Sequence, residues 1–483
     1  MMIRILFQCL FFIFFNCFWI VSGQTVIQGN AVDYKGQTLV FNYYANQISN
    51  TEKNLATVKV KNNGDFSFEI SLNRTAYIFC HKGIFFMYLY AEPNAQYTIK
   101  LPKRIERKQE DKLNPFFEEL KVHLMIDSVK SLTNSQHEEG TNELNSLIRT
   151  FDDYFDPYYN KYALRMYTKE DVSSMDSTLR EIETKFATTS NHYFALYYQY
   201  RMGLLKFMST RFKSRHISDN YFLDKPILYD NTAYMELFKK VYDKYFVYFG
   251  RTQAGRVIYD DINKFKSLNK LKSTLDQDKV LSNDTLKEFV ILKGLHDGFY
   301  EMEFQRQALL QILDSLISTS KIERIRNIGM DVRYKITRLL AGNAPPFFNL
   351  LNQDSILTSL DKFKGSFVYL VFGTTQNYAC LKEFQMLKKI QDKHPNLLKV
   401  IVVSADEKLS DIRLFAKRSQ LKWTFLYYDY GVQPDILKEY DVRTVPTCFL
   451  VDKEGKLALS PAPLPSENFE VYLFNYLKAK KIL

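Results

Sequence analysis

Two consecutive prolines, Pro345 and Pro346, within Ala341-Gly-Asn-Ala-Pro-Pro-Phe347, divide this chain into stretches of different hydrophobic period. Proline has no backbone N–H, and the residue before it is pushed out of the helical region, so no helix runs through this segment. Upstream, from about Arg104 to Leu340, apolar residues recur at helical spacing. Leu144, Leu147, Ile148, Phe151, Tyr154 and Phe155 share one face, and Leu309, Leu310, Leu313, Leu316 and Ile317 share another. Downstream, strands (Phe367–Phe372, Leu398–Val403, Thr424–Tyr428, Thr447–Val451, Leu457–Leu459) alternate with helices (Tyr378–Lys393, Leu409–Ser419, Gln433–Tyr440, Ser466–Lys478). Such alternation predicts a sheet covered by helices on both faces.

The N-terminal stretch has a third pattern. Between Gln24 and about Pro102, short alternating runs such as Val58-Lys-Val60 and Phe66-Ser-Phe68-Glu-Ile70 flank Asn63-Gly64. That dipeptide is a strong hairpin signal, because both turn residues tolerate positive φ. The expectation is a small all-β sandwich with Cys80 as a buried apolar residue. A multidomain chain follows: a signal peptide at 1–23, an all-β sandwich at 24–103, an α-helical region at 104–340 and an α/β domain at 341–483. At 483 residues the chain is too long for one ordinary core.

Residues 1–23 carry Arg4, then an apolar run from Leu10 to Val21 broken only by Asn16, then the small residues Ser22 and Gly23. They read as a secretory signal, with an uncleaved anchor as the rival reading. Without Cys9 and Cys17 the mature chain keeps Cys80, Cys380 and Cys448, an odd set that permits one internal bridge at most. The net charge of +11 is spread over the whole chain without a dense Lys/Arg block. That argues against nucleic acid as a partner and leaves attraction to an anionic membrane surface open. The seven histidines show no metal-ligand spacing, and neither a Gly-rich phosphate loop nor a nucleophile elbow occurs. No cofactor or metal is expected, and composition says nothing of oligomeric state.

The segment carrying chemistry is Val368-Tyr-Leu-Val-Phe372-Gly-Thr-Thr-Gln376-Asn377-Tyr-Ala-Cys380-Leu-Lys-Glu383, an apolar strand, a polar turn and a helix opening with a lone cysteine. Together with Gly342–Phe347, Lys364–Phe372 and Tyr440-Asp-Val-Arg-Thr-Val-Pro446-Thr-Cys-Phe-Leu-Val-Asp452, it resembles the thioredoxin-like, TlpA-type family of exported thiol:disulfide interchange proteins. The upstream regions are similar to the N-terminal extensions of such envelope proteins in Bacteroidetes. The resemblance implies a thioredoxin fold for 341–483, a bacterial periplasmic or cell-envelope location, and a cis bond before Pro446. It also implies that Val445, Pro446 and Thr447 offer a backbone edge to a protein or peptide partner.

The sequence departs from the family at the reactive position. Family members place Trp-Cys-x-x-Cys where this chain has Gln376-Asn377-Tyr378-Ala379-Cys380, so Asn377 takes the place of the attacking cysteine. Asn has no thiol, but it caps a helix well, since its side-chain carbonyl accepts from first-turn N–H groups. The sequence leaves three readings for Cys380: an inert core residue, a residual thiol forming mixed disulfides, or a partner of Cys448. The function expected is therefore a redox-impaired binding protein, with a thiol:disulfide oxidoreductase working through Cys380 alone or with Cys448 as the alternative.

Overall fold

The computed structural model describes residues 23–108, 111, 117–132, 143–168, 174–186, 190–208, 214–406, 408–428 and 435–482. The expected signal segment lies outside these residues except for Gly23. No helix among the described residues is long and apolar enough to cross a membrane.

Nine strands make two facing sheets at the N-terminal end. One sheet orders Asp65–Leu72, Gly23–Asn30, Ala95–Lys100 and Met125–Ser131. The other orders Thr51–Lys59, Thr38–Asn46, Ala76–Lys82, Phe85–Ala91 and Leu120–His123. Ile27, Leu39, Phe41, Ile78, Cys80 and Met87 meet between the sheets, all fully buried. Two expectations are corrected here. The Asn63-Gly64 turn does not join a hairpin: Thr51–Lys59 pairs with Thr38–Asn46, while Asp65–Leu72 pairs with Gly23–Asn30. The turn carries the chain from one sheet to the other, with Gly64 at φ +93. Nor does helix begin at Arg104, because Leu120–His123 and Met125–Ser131 extend one sheet each. These are edge strands with exposed Leu120 and Met125, so their apolar signal is weak.

The helical region is one bundle with a single continuous core, from Leu144 to Ile336. It includes Leu144–Thr168, His192–Met208, Asp284–Gly298, Arg306–Thr319 and Glu323–Thr337. Its first helix is tied to the sandwich by the fully buried Asn145 side chain, which accepts from the Tyr90 N–H at 2.7 Å and donates to the Tyr90 carbonyl at 2.9 Å. Its last helix meets the sandwich where Asn46 donates to Asp331 at 3.1 Å. On the outer face of the sandwich, His81 pairs with Glu119 at 2.7 Å and Glu52 at 3.5 Å, and Arg107 pairs with Glu119 as well.

The C-terminal region is mixed α/β. Its seven-stranded sheet runs Leu357–Thr358, Leu350–Asn352, Thr424–Tyr427, Leu398–Ser404, Phe367–Gly373, Thr447–Val451, Leu457–Ala462. Phe367–Gly373 is parallel to Leu398–Ser404 and antiparallel to Thr447–Val451. Strict period-two alternation divides the sheet into two buried faces. Phe367, Tyr369 and Val371 face Tyr378–Lys393 and Phe469–Ala479, while Val368, Leu370 and Phe372 face Tyr440 and Phe348. The strands at Leu350 and Leu357 went unforeseen, being three and two residues long. The helix expected over Gln433–Tyr440 is the single turn Ile436–Glu439, its earlier part lying outside the described residues.

Candidate functional site

The central strand Phe367–Gly373 ends at the carboxyl edge of the sheet, where α/β proteins build sites. The polar turn that follows is held by one buried side chain, Asp406, which is 1% exposed. Its carboxylate accepts from the Thr374 hydroxyl at 2.5 Å, the Thr375 N–H at 3.0 Å and the Ser404 hydroxyl at 2.5 Å. A buried carboxylate with several donors is a stable arrangement, and it fixes the turn from the neighbouring strand. Sequence reasoning missed Asp406. Its place just past a buried parallel strand is a local hint, but its partners lie more than thirty residues away in the sequence.

Asn377 caps the helix Tyr378–Lys393: its side-chain oxygen accepts from Ala379 N–H at 2.8 Å and Cys380 N–H at 3.3 Å. Those first-turn N–H groups are the ones that would stabilise a thiolate at position 377. Cys380 sits one turn in and is fully buried. A Cβ on Gly373 would stand 3.3 Å from its sulfur, so the thiol lies directly over the strand end. Burial pushes the Cys380 thiol above its ordinary range, and the Asp406 charge adds to the effect against a Thr374 N–H contact. Glu383, one turn further, is buried and accepts from the Ser466 N–H at 2.9 Å.

Cys448 lies opposite Val371 and shares the core that holds Cys380. Burial drives its thiol up to about 12, with a Tyr369 hydrogen bond acting the other way. Tyr369 donates its hydroxyl to the Pro463 carbonyl at 2.7 Å. Cys80, Cys380 and Cys448 are all free thiols, with no bridge between Cys380 and Cys448. The Val445-Pro446 peptide is cis, and Thr447 pairs with Phe372 beside the turn. Val445 is half-buried against the Cys380 core. The fold thus gathers Asn377, Cys380, Val445, Pro446, Thr447 and Cys448 at one end of the sheet. Gln376 and Tyr378 stand exposed beside them, Tyr378 at 81%. Among the described residues no cluster of His, Cys, Asp and Glu is disposed to hold a metal.

A central parallel pair, an antiparallel pair beyond it, a cysteine at the start of the following helix and a cis-proline turn define a thioredoxin-like domain. Comparison agrees: the Redoxin family matches residues 340–461. The thiol-disulfide oxidoreductase ResA of Bacillus thuringiensis is 29% identical over 145 residues, covering 30% of this chain and 80% of that protein. The thioredoxin-like protein YneN of Bacillus subtilis is 29% identical over 117 residues, 24% of this chain and 66% of that protein. Among solved structures, a thiol:disulfide interchange protein DsbE from Chlorobium tepidum aligns at 26% identity with a TM-score of 0.26, covering 29% of this chain and 96% of that one. Over these residues the chain matches the Redoxin family and is similar to thioredoxin-like thiol-disulfide oxidoreductases.

Proposed function

We propose that this is an exported bacterial cell-envelope protein of the TlpA type whose thioredoxin-like domain binds a protein or peptide partner and has lost dithiol exchange. One observation carries the reading. Asn377 stands at the helix start with its oxygen on the Ala379 and Cys380 N–H groups, so the position of the attacking thiol holds a cap and not a nucleophile. The remaining thiol, Cys380, is fully buried. The partner surface would be the edge at Val445, Pro446 and Thr447, with Tyr378 beside it. Export rests on the apolar segment that opens the sequence.

A second reading keeps redox chemistry at Cys380, alone or with Cys448. It is favoured by the family of the relatives and by the shared core of the two thiols. One assay separates the readings: reduction of insulin disulfides by the full chain with dithiothreitol as electron source. The binding reading expects the rate of dithiothreitol alone. A faster rate that disappears in Cys380→Ser would overturn it. The partner surface is tested by a photo-crosslinking residue at Val445, which should capture a protein in envelope extracts that competes with an unlabelled extended peptide.

A further inference from the structure

The cis-proline loop is reached through a single helical turn, Ile436–Glu439, which the end of the helical region contacts directly. Arg338, just past the last bundle helix, sends its guanidinium onto the end of that turn. Its Nε donates to the Glu439 carbonyl at 2.8 Å and its Nη2 to the Lys438 carbonyl at 3.1 Å. A third donor goes back to the Lys335 carbonyl at 2.5 Å, and the Glu439 carboxylate lies 3.4 Å from Nε. The Arg338 side chain is only 9% exposed, so this is a built contact and not a surface ion pair. On the other side, the charge of Lys438 reaches Glu52 and Glu119 of the sandwich and favours their ionised forms.

The turn passes directly into the loop. Asp441 takes a left-handed conformation, φ +49, that ends the helix. Its N–H donates to the Lys438 carbonyl at 3.2 Å and that of Val442 to the Leu437 carbonyl at 2.8 Å. Four residues later comes Pro446. The Tyr440 hydroxyl meanwhile donates to the Pro346 carbonyl at 2.7 Å, so the linker grips the same corner. The far end of the loop is set by Thr447 in the sheet. The near end is set by a fork from another region, and a guanidinium suits this because it offers several donors in a fixed plane.

We propose that Arg338 is a positioning residue for the cis-proline loop, through which the helical region holds the partner surface in place. The proposal rests on the reading of that loop as the partner surface only for its use, since the coupling itself is measurable without a partner. Hydrogen exchange on the full chain tests it. In Arg338→Ala the amides of Asp441 and Val442 should exchange about tenfold faster, while strand Phe367–Gly373 keeps its protection within about twofold. Arg338→Lys, which keeps the charge without the fork, should fall between, and Glu439→Gln, which keeps both carbonyl acceptors, should match the parent. Unchanged exchange at Asp441 and Val442, or acceleration spread equally over Phe367–Gly373, would overturn the proposal. If Arg338→Ala does not fold, Arg338→Lys is held to the same two criteria. Selective loosening together with crosslinking that ignores Val445 would leave the coupling standing and remove the partner reading instead.

Discussion

The side-chain oxygen of Asn377 lies 3.3 Å from the backbone nitrogen of Cys380, so the polar residue at the helix start and the buried thiol one turn in are joined as cap and capped. The first turn of the helix is thereby satisfied without a thiolate. Removing the cap by Asn377→Ala should cost about 1 kcal/mol, read from denaturant unfolding of the full chain. Asn377→Cys should place a thiol at the helix start and raise insulin reduction above the dithiothreitol background. No gain from that substitution would show that a thiol at the helix start is not enough for reduction in this site.

All three thiols should resist alkylation in the folded protein. Burial holds Cys80 and Cys448 at about 12 and keeps Cys380 above its ordinary range, so few thiolates form near neutral pH. Iodoacetamide followed by mass spectrometry should find these positions unmodified in native protein and fully modified in guanidinium. Rapid native labelling of Cys380 would instead support the single-thiol reading.

Asp406→Ala should be costly. It leaves the Thr374 hydroxyl, the Thr375 N–H and the Ser404 hydroxyl without their buried acceptor, worth about 3 kcal/mol in total. The loss is expected in chemical denaturation, with exchange at Thr375 rising first. A loss under about 0.5 kcal/mol would mean that the turn does not depend on this carboxylate.

The sandwich carries a pH dependence of its own. Burial acts to lower the His81 pKa, but Glu119 and Glu52 outweigh it and raise it to about 9. A histidine held above its unfolded value contributes stability that is complete below about pH 6.5 and lost as pH rises through about 9. The stability difference between the parent and His81→Gln should therefore shrink by about 3 kcal/mol across that window. Burial acts to raise Glu52 and Glu119, but His81 outweighs it and holds both below the carboxylate range, so their contribution disappears on the acid side. A constant difference between parent and variant would remove this account.

Much of the C-terminal domain was legible because its strands are long, buried on both sides and separated by turn residues. Phe367 to Phe372 reads as one apolar run, and the residues around Pro446 form a specific stretch. The two-residue strand at Leu357 carries no period to detect. At the N-terminal end, Asn63-Gly64 announced a turn correctly, but a turn motif does not say whether its flanking strands pair with each other or across a sandwich. Asn377 and its capping role were readable from local rules. Asp406 was not, because its partners Thr374 and Thr375 lie more than thirty residues away in sequence and meet it only once the parallel strands are paired.

That clamp separates the outline of the site from the side chain at position 377. Since Asp406 grips Thr374 and Thr375 and makes no hydrogen bond to Asn377, the outline of the site does not depend on which side chain occupies position 377. A substitution at position 377 can therefore change the chemistry of the helix start while leaving the contour around it intact.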